Sequence, residues 1–524
     1  MKGKKRASIT VFMSLMLMVI ASLLFTLLEG SRYIMLGMMA VINSQSVTES
    51  IFAEYNVPAY QNYHLFLMDS SYGTGELLLS KVNARMQELG QENLNPCVSG
   101  FGTYTNFLQM DVMESSVTQY ELATDNQANA LLKQMSQLMK YEAVTDLIQN
   151  MDKKATDIQK SSDQGKKADQ YLDGALDTIE QAKETAKEEG ADKSAAKQTL
   201  GNGKRMGIRK LPKMTSSGLD TETVEIENPM EDVKQAKGSS LLGQILSGED
   251  GISTKKISKG DSIEKRSIHT GNYEDSGSYG MIDKLLIIQY LKKYTSSYRN
   301  KVSMPHALDY EQEYILFGKY TDEDNLKKMA SRLLLIREGI NFAYLMTDSA
   351  KRDEALAMAT AIATATGIPA ASAIQMGILA SWAYSESIVE LRTLFSGGKI
   401  SAGKTRESWT VDISEIASVL FHTSIKSKEV SSGLDYEDYL HTFLAMENMD
   451  KIGMRFANIL EKNIRLYAGN EQLKLDCMIT AMEAKHTYQA KQVFLTFVTI
   501  ERLSKKGYQY EQKYSFSYTK EKMQ

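Results

Sequence analysis

Apolar positions along this chain change spacing several times, and each change marks a different element. From Ala7 to Leu28 run 22 consecutive residues without a charge. At ~1.5 Å rise per residue a helix of that length covers ~33 Å, enough to cross a hydrocarbon layer of about 30 Å. Beyond it, Ile34, Met38, Val41 and Ile42 keep helical spacing with no proline until Pro58. The spacing predicts one helix that leaves the membrane and carries an apolar stripe needing a partner, either the rest of this chain or another subunit. Residues 64–69 (HLFLMD) read as a buried strand, 76–89 as a helix, and 129–151 as an amphipathic helix with Leu131, Leu132, Met135, Leu138 and Met139 on one face.

Between Tyr171 and Tyr273 lie 101 residues without an aromatic, rich in Lys, Asp, Glu, Ser and Gly. Such a composition buries too little apolar area to offset its ordering entropy. It predicts a solvated helix to about 190 and then a flexible linker, with a docked strand at 223–227. Helical spacing returns at 281–298 and 325–346, while 310–320 reads as a strand or a helix start. A second uncharged run, Ala355 to Ser385, is built of Ala and Thr and cut by Gly367-Ile368-Pro369. A buried helix-turn-helix fits it better than a second span. Residues 435–467 are helical by spacing. The last sixty residues alternate by two in LKLDCMITA, QVFLTFVTI and YEQKYSFSY and read as antiparallel strands. The expected fold is α+β and mostly helical, in five parts. These are a cytoplasmic stub (1–6), a transmembrane helix (7–28), a membrane-proximal mixed segment (29–151), a charged stalk (152–275) and a C-terminal α+β domain (276–524).

Charge sets orientation. Lys4, Lys5 and Arg6 precede the apolar run, and Glu29 and Arg32 follow it. That asymmetry predicts a cytoplasmic N-terminus and an extracellular body. The run is longer than a cleaved signal peptide's and ends among large residues, so the anchor is expected to stay. Glu29 and Arg32 stand i, i+3 apart, close enough to pair on a helix. They read as an ion pair ending the span or as a contact between subunits. A net charge of −4 carries no basic surplus for nucleic acid. Cys97 and Cys477 fit either one long-range disulfide outside the cell or two buried thiols.

Motifs for catalysis are weak. Gly398 to Thr405 matches G-x-x-x-x-G-K-T. A phosphate-binding loop, however, needs a strand before it and a helix after it, and here the order is reversed. It reads as an ordinary turn, with no nucleotide expected. None of His64, His269, His306, His422, His441 and His486 stands at ligand spacing, so a metal site would have to be assembled by the fold, and surface or capping roles suffice. No nucleophile motif appears. The reading is a non-enzyme without cofactor.

The opening KKRASITVFMSLMLMVIASLLFTLLEGSR resembles the N-terminus of TadE/TadG-like pseudopilins, minor components of tight-adherence (Flp-type) pili. It departs from prepilin processing sites: Arg6-Ala7 stand before Ser8, and Phe12 takes the place of the mature helix's glutamate. SVTESIFAEYN, YHLFLMDSSYG, YEQEYILFGKY, NLKKMASRLLLIREGINFAYL and YEDYLHTFLAM resemble DUF5702, an uncharacterised family of Firmicutes often found with tight-adherence pilus genes. Together these imply a single-pass, outward-facing assembly component partnered by the membrane and by other pilus or secretion-apparatus proteins. An adhesin or sensor unrelated to pili, and an anchored hydrolase, are the alternatives.

Overall fold

The computed structural model describes residues 4–94, 108–141, 151–188, 206–207, 211–215, 218–222, 225–226, 228–246, 251–273, 279–303, 305–366, 370–494 and 507–519. Helix predominates among them, as the spacing predicts, with one four-stranded antiparallel sheet completed near the C-terminus. The chain forms two units, each assembled from non-contiguous pieces. The first comprises Met1–Ala143, Gly260–Ile287 and Met449–Gln524; the second comprises Val144–Lys259 and Ile288–Asn448.

In the first unit, α1 (Lys4–Ala53) is one continuous helix. It is followed by α2 (Val57–Tyr63), β1 (Met68–Asp69), α3 (Leu79–Leu94), β2 (Met110–Leu122) and α4 (Asp125–Tyr141). The C-terminal part supplies α15 (Met449–Ala468), β7 (Met478–Ala490) and β8 (Tyr508–Ser517). The central strand is β7. Along one edge β2 pairs with it from Met110↔Ala490 to Leu122↔Ile479; along the other, β1 and then β8 follow one another. Met482, Ala484, His486, Tyr488 and Ala490 are buried and alternate with partly exposed residues, the period-two pattern of a strand with one covered face. The cover is the outer part of α1, whose Val47, Ile51 and Phe52 cluster with Met68, Val82, Met86, Leu122, Ile479 and Met482. The expected strand at 492–500 lies largely outside the described residues.

The second unit holds α5 (Met151–Glu188) and two short ladders. These pair β3 (Met206–Gly207) with β6 (Glu225–Ile226), and β4 (Leu211–Thr215) with β5 (Gly218–Glu222). Then come α6 (Pro229–Lys237), α7 (Leu241–Ile245), α8 (Met281–Tyr294, shared with the first unit), α9 (Glu311–Phe317), α10 (Asp322–Thr347), α11 (Ser349–Thr366), α12 (Ala371–Phe395), α13 (Ser418–Phe421) and α14 (Tyr436–Met446). Of the ambiguous 310–320 segment, 311–317 are thus helical. The second uncharged run becomes α11 and α12. From Ile378 to Phe395 every residue of α12 is buried, so the run's apolarity serves a core.

The stretch 152–275 differs from a solvated stalk. Ala168, Leu172, Ala175, Leu176 and Ile179 of α5, with Met230, Val233 and Ala236 of α6, are buried in one cluster with Trp382 and Tyr384. Spaced 4, 3, 1 and 3 residues apart, the α5 positions form a stripe that average composition conceals. Close approach makes up for the small side chains: a Cβ on Gly339 of α10 would collide with the Ser161 carbonyl, and one on Gly165 with the Leu335 carbonyl. The chain segments also do not sort into a membrane-proximal segment, a stalk and one C-terminal domain, because both units draw strands or helices from distant parts of the chain.

Candidate functional site

α1 does two jobs along its length. Ile9 to Leu28 are exposed apart from the partly covered Ala21, with Leu17 and Met18 at 68% and 71%. This is the one helix among the described residues long and apolar enough to cross a membrane, and Lys4, Lys5 and Arg6 form its first turn. Past Leu28 one face turns inward. Leu36 and Ala40 pack with Leu94, Met110, Val112, Tyr488 and Ala490. Three polar residues on the same face bond to the sheet side. Asn43 donates to the Gly90 carbonyl (3.0 Å), the Ser44 hydroxyl meets that of Tyr488 (2.8 Å), and Thr48 meets His486 Nε2 (3.2 Å). Burial holds the His486 imidazole down to about 4, so it is neutral, with Ser115 on its Nδ1 at 2.9 Å.

Glu29 and Arg32 lie where these two regimes meet. Both are buried at 1% exposure, and Arg32 Nη1 donates to Glu29 Oε1 at 2.9 Å. Glu29 Oε2 accepts the Phe494 N–H (2.8 Å) and the Val493 N–H (3.3 Å), while Arg32 donates to the Leu108 carbonyl. Phe25 stacks on Phe494, with centroids 6.1 Å apart. The pair therefore faces the chain's own loops. It clasps the helix to the end of the sheet where the apolar segment stops.

The face of α1 opposite this clasp carries Ile34, Met38, Val41 and Ile42 at 66%, 61%, 50% and 55% exposure. They are the stripe read from the sequence, and all four stay at least half exposed. From Tyr33 to Thr48 the helix has no charged residue.

The second unit concentrates its charge inside. Arg337 of α10 forms a two-pronged pair with Glu390 of α12, Nε to Oε2 at 2.9 Å and Nη2 to Oε1 at 2.7 Å. Lys404 reaches both Glu390 (2.7 Å) and Glu386 (2.5 Å). Burial by itself would raise Glu390, but Arg337 and Lys404 outweigh it and hold the carboxyl at about 2. Glu386 moves the other way: burial raises it, even though it accepts the Val411 N–H at 2.7 Å. Lys404 is the lysine of the G-x-x-x-x-G-K-T match. Its ammonium is committed to two carboxylates and the Ser408 carbonyl, and turns follow it where a phosphate loop needs a helix. The motif is a latch that ties residues 398–411 to α12.

The family of unknown function DUF5702 matches residues 220–490, just over half of the chain. The chain belongs to this family. The DUF5702 match begins in the ladder strands before α6 and ends with β7, so it takes in Arg337, Glu386, Glu390 and Lys404 and leaves α1 outside. The family's description names no activity. Searches of curated proteins and of solved structures find no match.

Of the sequence-marked residues, Glu29 and Arg32 come together, and Lys4 to Arg6 open the same helix. Cys477 is a buried thiol, while Cys97 lies outside the described residues. The histidines go beyond surface and capping roles. His64 does cap α2 in a left-handed conformation, but His306, His441 and His486 are buried. The clusters around Arg337 and Glu313 were not visible in sequence, because their members are scattered over some 70 and 140 residues at no motif spacing.

Glu313 gives a pH test. Fully buried on α9, it accepts the Tyr298 N–H (2.9 Å) and the Tyr436 hydroxyl (2.7 Å), while its Oε2 has no partner among the described residues. Burial pushes the carboxyl up to about 7 from an ordinary 4.5. Between those values the native chain holds a proton that the unfolded chain has released. The stability present below pH 4.5 is therefore lost as pH rises to 7, by about 3 kcal/mol. Glu313→Gln keeps the acceptor and removes the buried charge. Thermal melts of the full chain should show the variant melting above wild type at pH 8 and level with it at pH 4; a gap that does not change with pH would refute the assignment.

Proposed function

We propose that this chain is a membrane-anchored, outward-facing structural or assembly component, pseudopilin-like, of a tight-adherence type pilus or secretion apparatus, and that its work is binding rather than catalysis. The observation that carries the reading is the division of α1 into a bare apolar half and a half docked on an antiparallel sheet, with an uncovered apolar stripe beyond the span. About 20 residues fill the hydrocarbon layer, so Ile34 to Ile42 stand in water roughly 10–20 Å beyond its edge. Fully burying an exposed side chain of this kind gains about 1.5–3 kcal/mol, and these four, half to two-thirds exposed, would gain about half of that each, so the stripe favours a lateral partner. Glu29 and Arg32 are turned inward, so this stripe and not the ion pair offers the contact between subunits. Support for the pilus setting comes from the N-terminal resemblance.

The test is a photo-crosslinking residue at Met38, with a control at Glu88 on α3, in cells carrying the native pilus genes. Adducts from Met38 with components of the pilus inner-membrane platform, absent from Glu88, are the expected result. Failure of Met38 to capture any such component, together with failure of the full chain to co-purify with the platform, would sink the reading and leave the adhesin or sensor alternative.

A further inference from the structure

The first unit brings together three metal-ligand side chains that no sequence motif connects. Asp476 and Cys477 sit on a single 3-10 turn, Leu475–Cys477, that leads into β7. His269 arrives from the segment that crosses this unit between residues 260 and 273. One ligand atom from each lies within 4.8 Å of the other two. We propose that His269, Asp476 and Cys477 form a binding site for a borderline-soft divalent metal ion of the zinc class.

The donor set is one imidazole, one carboxylate and one thiolate, the three side-chain types that zinc accepts at bond lengths of about 2.0–2.3 Å. Tetrahedral angles at those lengths place ligand atoms roughly 3.5 Å apart, so closure needs an inward shift of about 1 Å. His269 is the more exposed of the three and can supply that shift by rotation, while the two buried donors stay fixed.

Their fixing is extensive. Arg266 donates to both oxygens of Glu461 (2.7 Å each) and to Asp476 Oδ1. Glu461 in turn accepts the Leu475 N–H at 2.8 Å, and the His269 N–H donates to Asp476 Oδ2 at 3.1 Å. Ser70 donates through both its N–H (3.1 Å) and its hydroxyl (2.6 Å) to the Cys477 carbonyl. Outer contacts of this kind orient first-sphere ligands in protein metal sites, and Arg266 on the carboxylate fills that place.

Metal-free full-length protein in detergent, titrated with Co²⁺, tests this directly, because a thiolate on tetrahedral cobalt produces a near-ultraviolet charge-transfer band. The expected result is a saturable band at one equivalent that Zn²⁺ displaces. Cys477→Ser should abolish the band, and His269→Ala should weaken apparent affinity by at least the 10–100-fold that loss of an outer contact alone costs. Cys97→Ser and His422→Ala should leave both unchanged. His269 stands on a surface segment, so its variant is expected to fold even if a change at buried Cys477 does not. No charge-transfer band in the wild type, a band that survives Cys477→Ser, or full affinity in His269→Ala would each overturn the site and leave a plain hydrogen-bonded cluster.

Discussion

Replacing Arg337 by Ala is expected to cost the second unit about 3–5 kcal/mol, the range for removing one member of a buried ion pair. The cost comes less from the lost attraction than from what is left behind. Glu390, fully buried, would keep only Lys404 (2.7 Å) and the Asn341 amide (2.8 Å) among the described residues. The Ser401 carbonyl, now 3.0 Å from Arg337 Nη1, would lose that charged donor. Arg337→Lys retains the charge and loses the two-pronged geometry, so an intermediate loss is expected. Lys327 and Glu323, about half exposed at 2.7 Å, provide the contrast. Surface pairs of this sort contribute roughly 0–1 kcal/mol, and Lys327→Ala should barely move the urea midpoint. Equal midpoints for Arg337→Ala and wild type would show that the internal cluster is not what holds α10 against α12.

Two arginines placed mid-span, Leu17→Arg with Met18→Arg, are expected to detach the chain from membranes. A charge at the centre of a membrane helix costs about 2.5–3.5 kcal/mol on insertion scales, so the pair shifts partitioning by roughly 10⁴-fold. Both positions are more than two-thirds exposed, so nothing in the fold of the first unit depends on them. The readout is carbonate-resistant pelleting. Wild type should stay with the membrane, and so should Met113→Arg, a change at a half-exposed position on β2. A double variant that still pellets would refute the anchor. Protease shaving of intact cells adds orientation: the proposal expects loss of the body with α1's apolar half protected.

Part of the first unit was legible in residues 1–53 and 508–517. The run from Ala7 to Leu28 is uniform enough to be read without context, and β8 overlaps the alternating YEQKYSFSY, whereas the strand expected at 473–481 begins only at Met478, after the 3-10 turn Leu475–Cys477, and runs on to Ala490. The same logic failed for α5. Its stripe consists of small and medium apolar residues diluted by Lys, Asp and Gln, and it becomes a core face only because Gly165 and Gly339 let two helix backbones approach. The sequence places Lys404 in a turn after a helix, and both hold, but turns and a short 3-10 segment stand where a strand was expected to follow, and its partners Glu386 and Glu390 stand 18 and 14 residues earlier on a helix that the sequence presents as the end of an apolar run.

By itself, then, the sequence determined the mostly helical α+β character, the single long apolar helix and the stripe that continues past it. Each of these depends on local spacing, and spacing is written along the chain. Tertiary structure alone decided which way Glu29 and Arg32 face, that α5 belongs to a core, and that His269 meets Asp476 and Cys477 from 207 residues away. Those outcomes depend on which surfaces close on one another, and closure is a property of pairs of segments that no single segment carries.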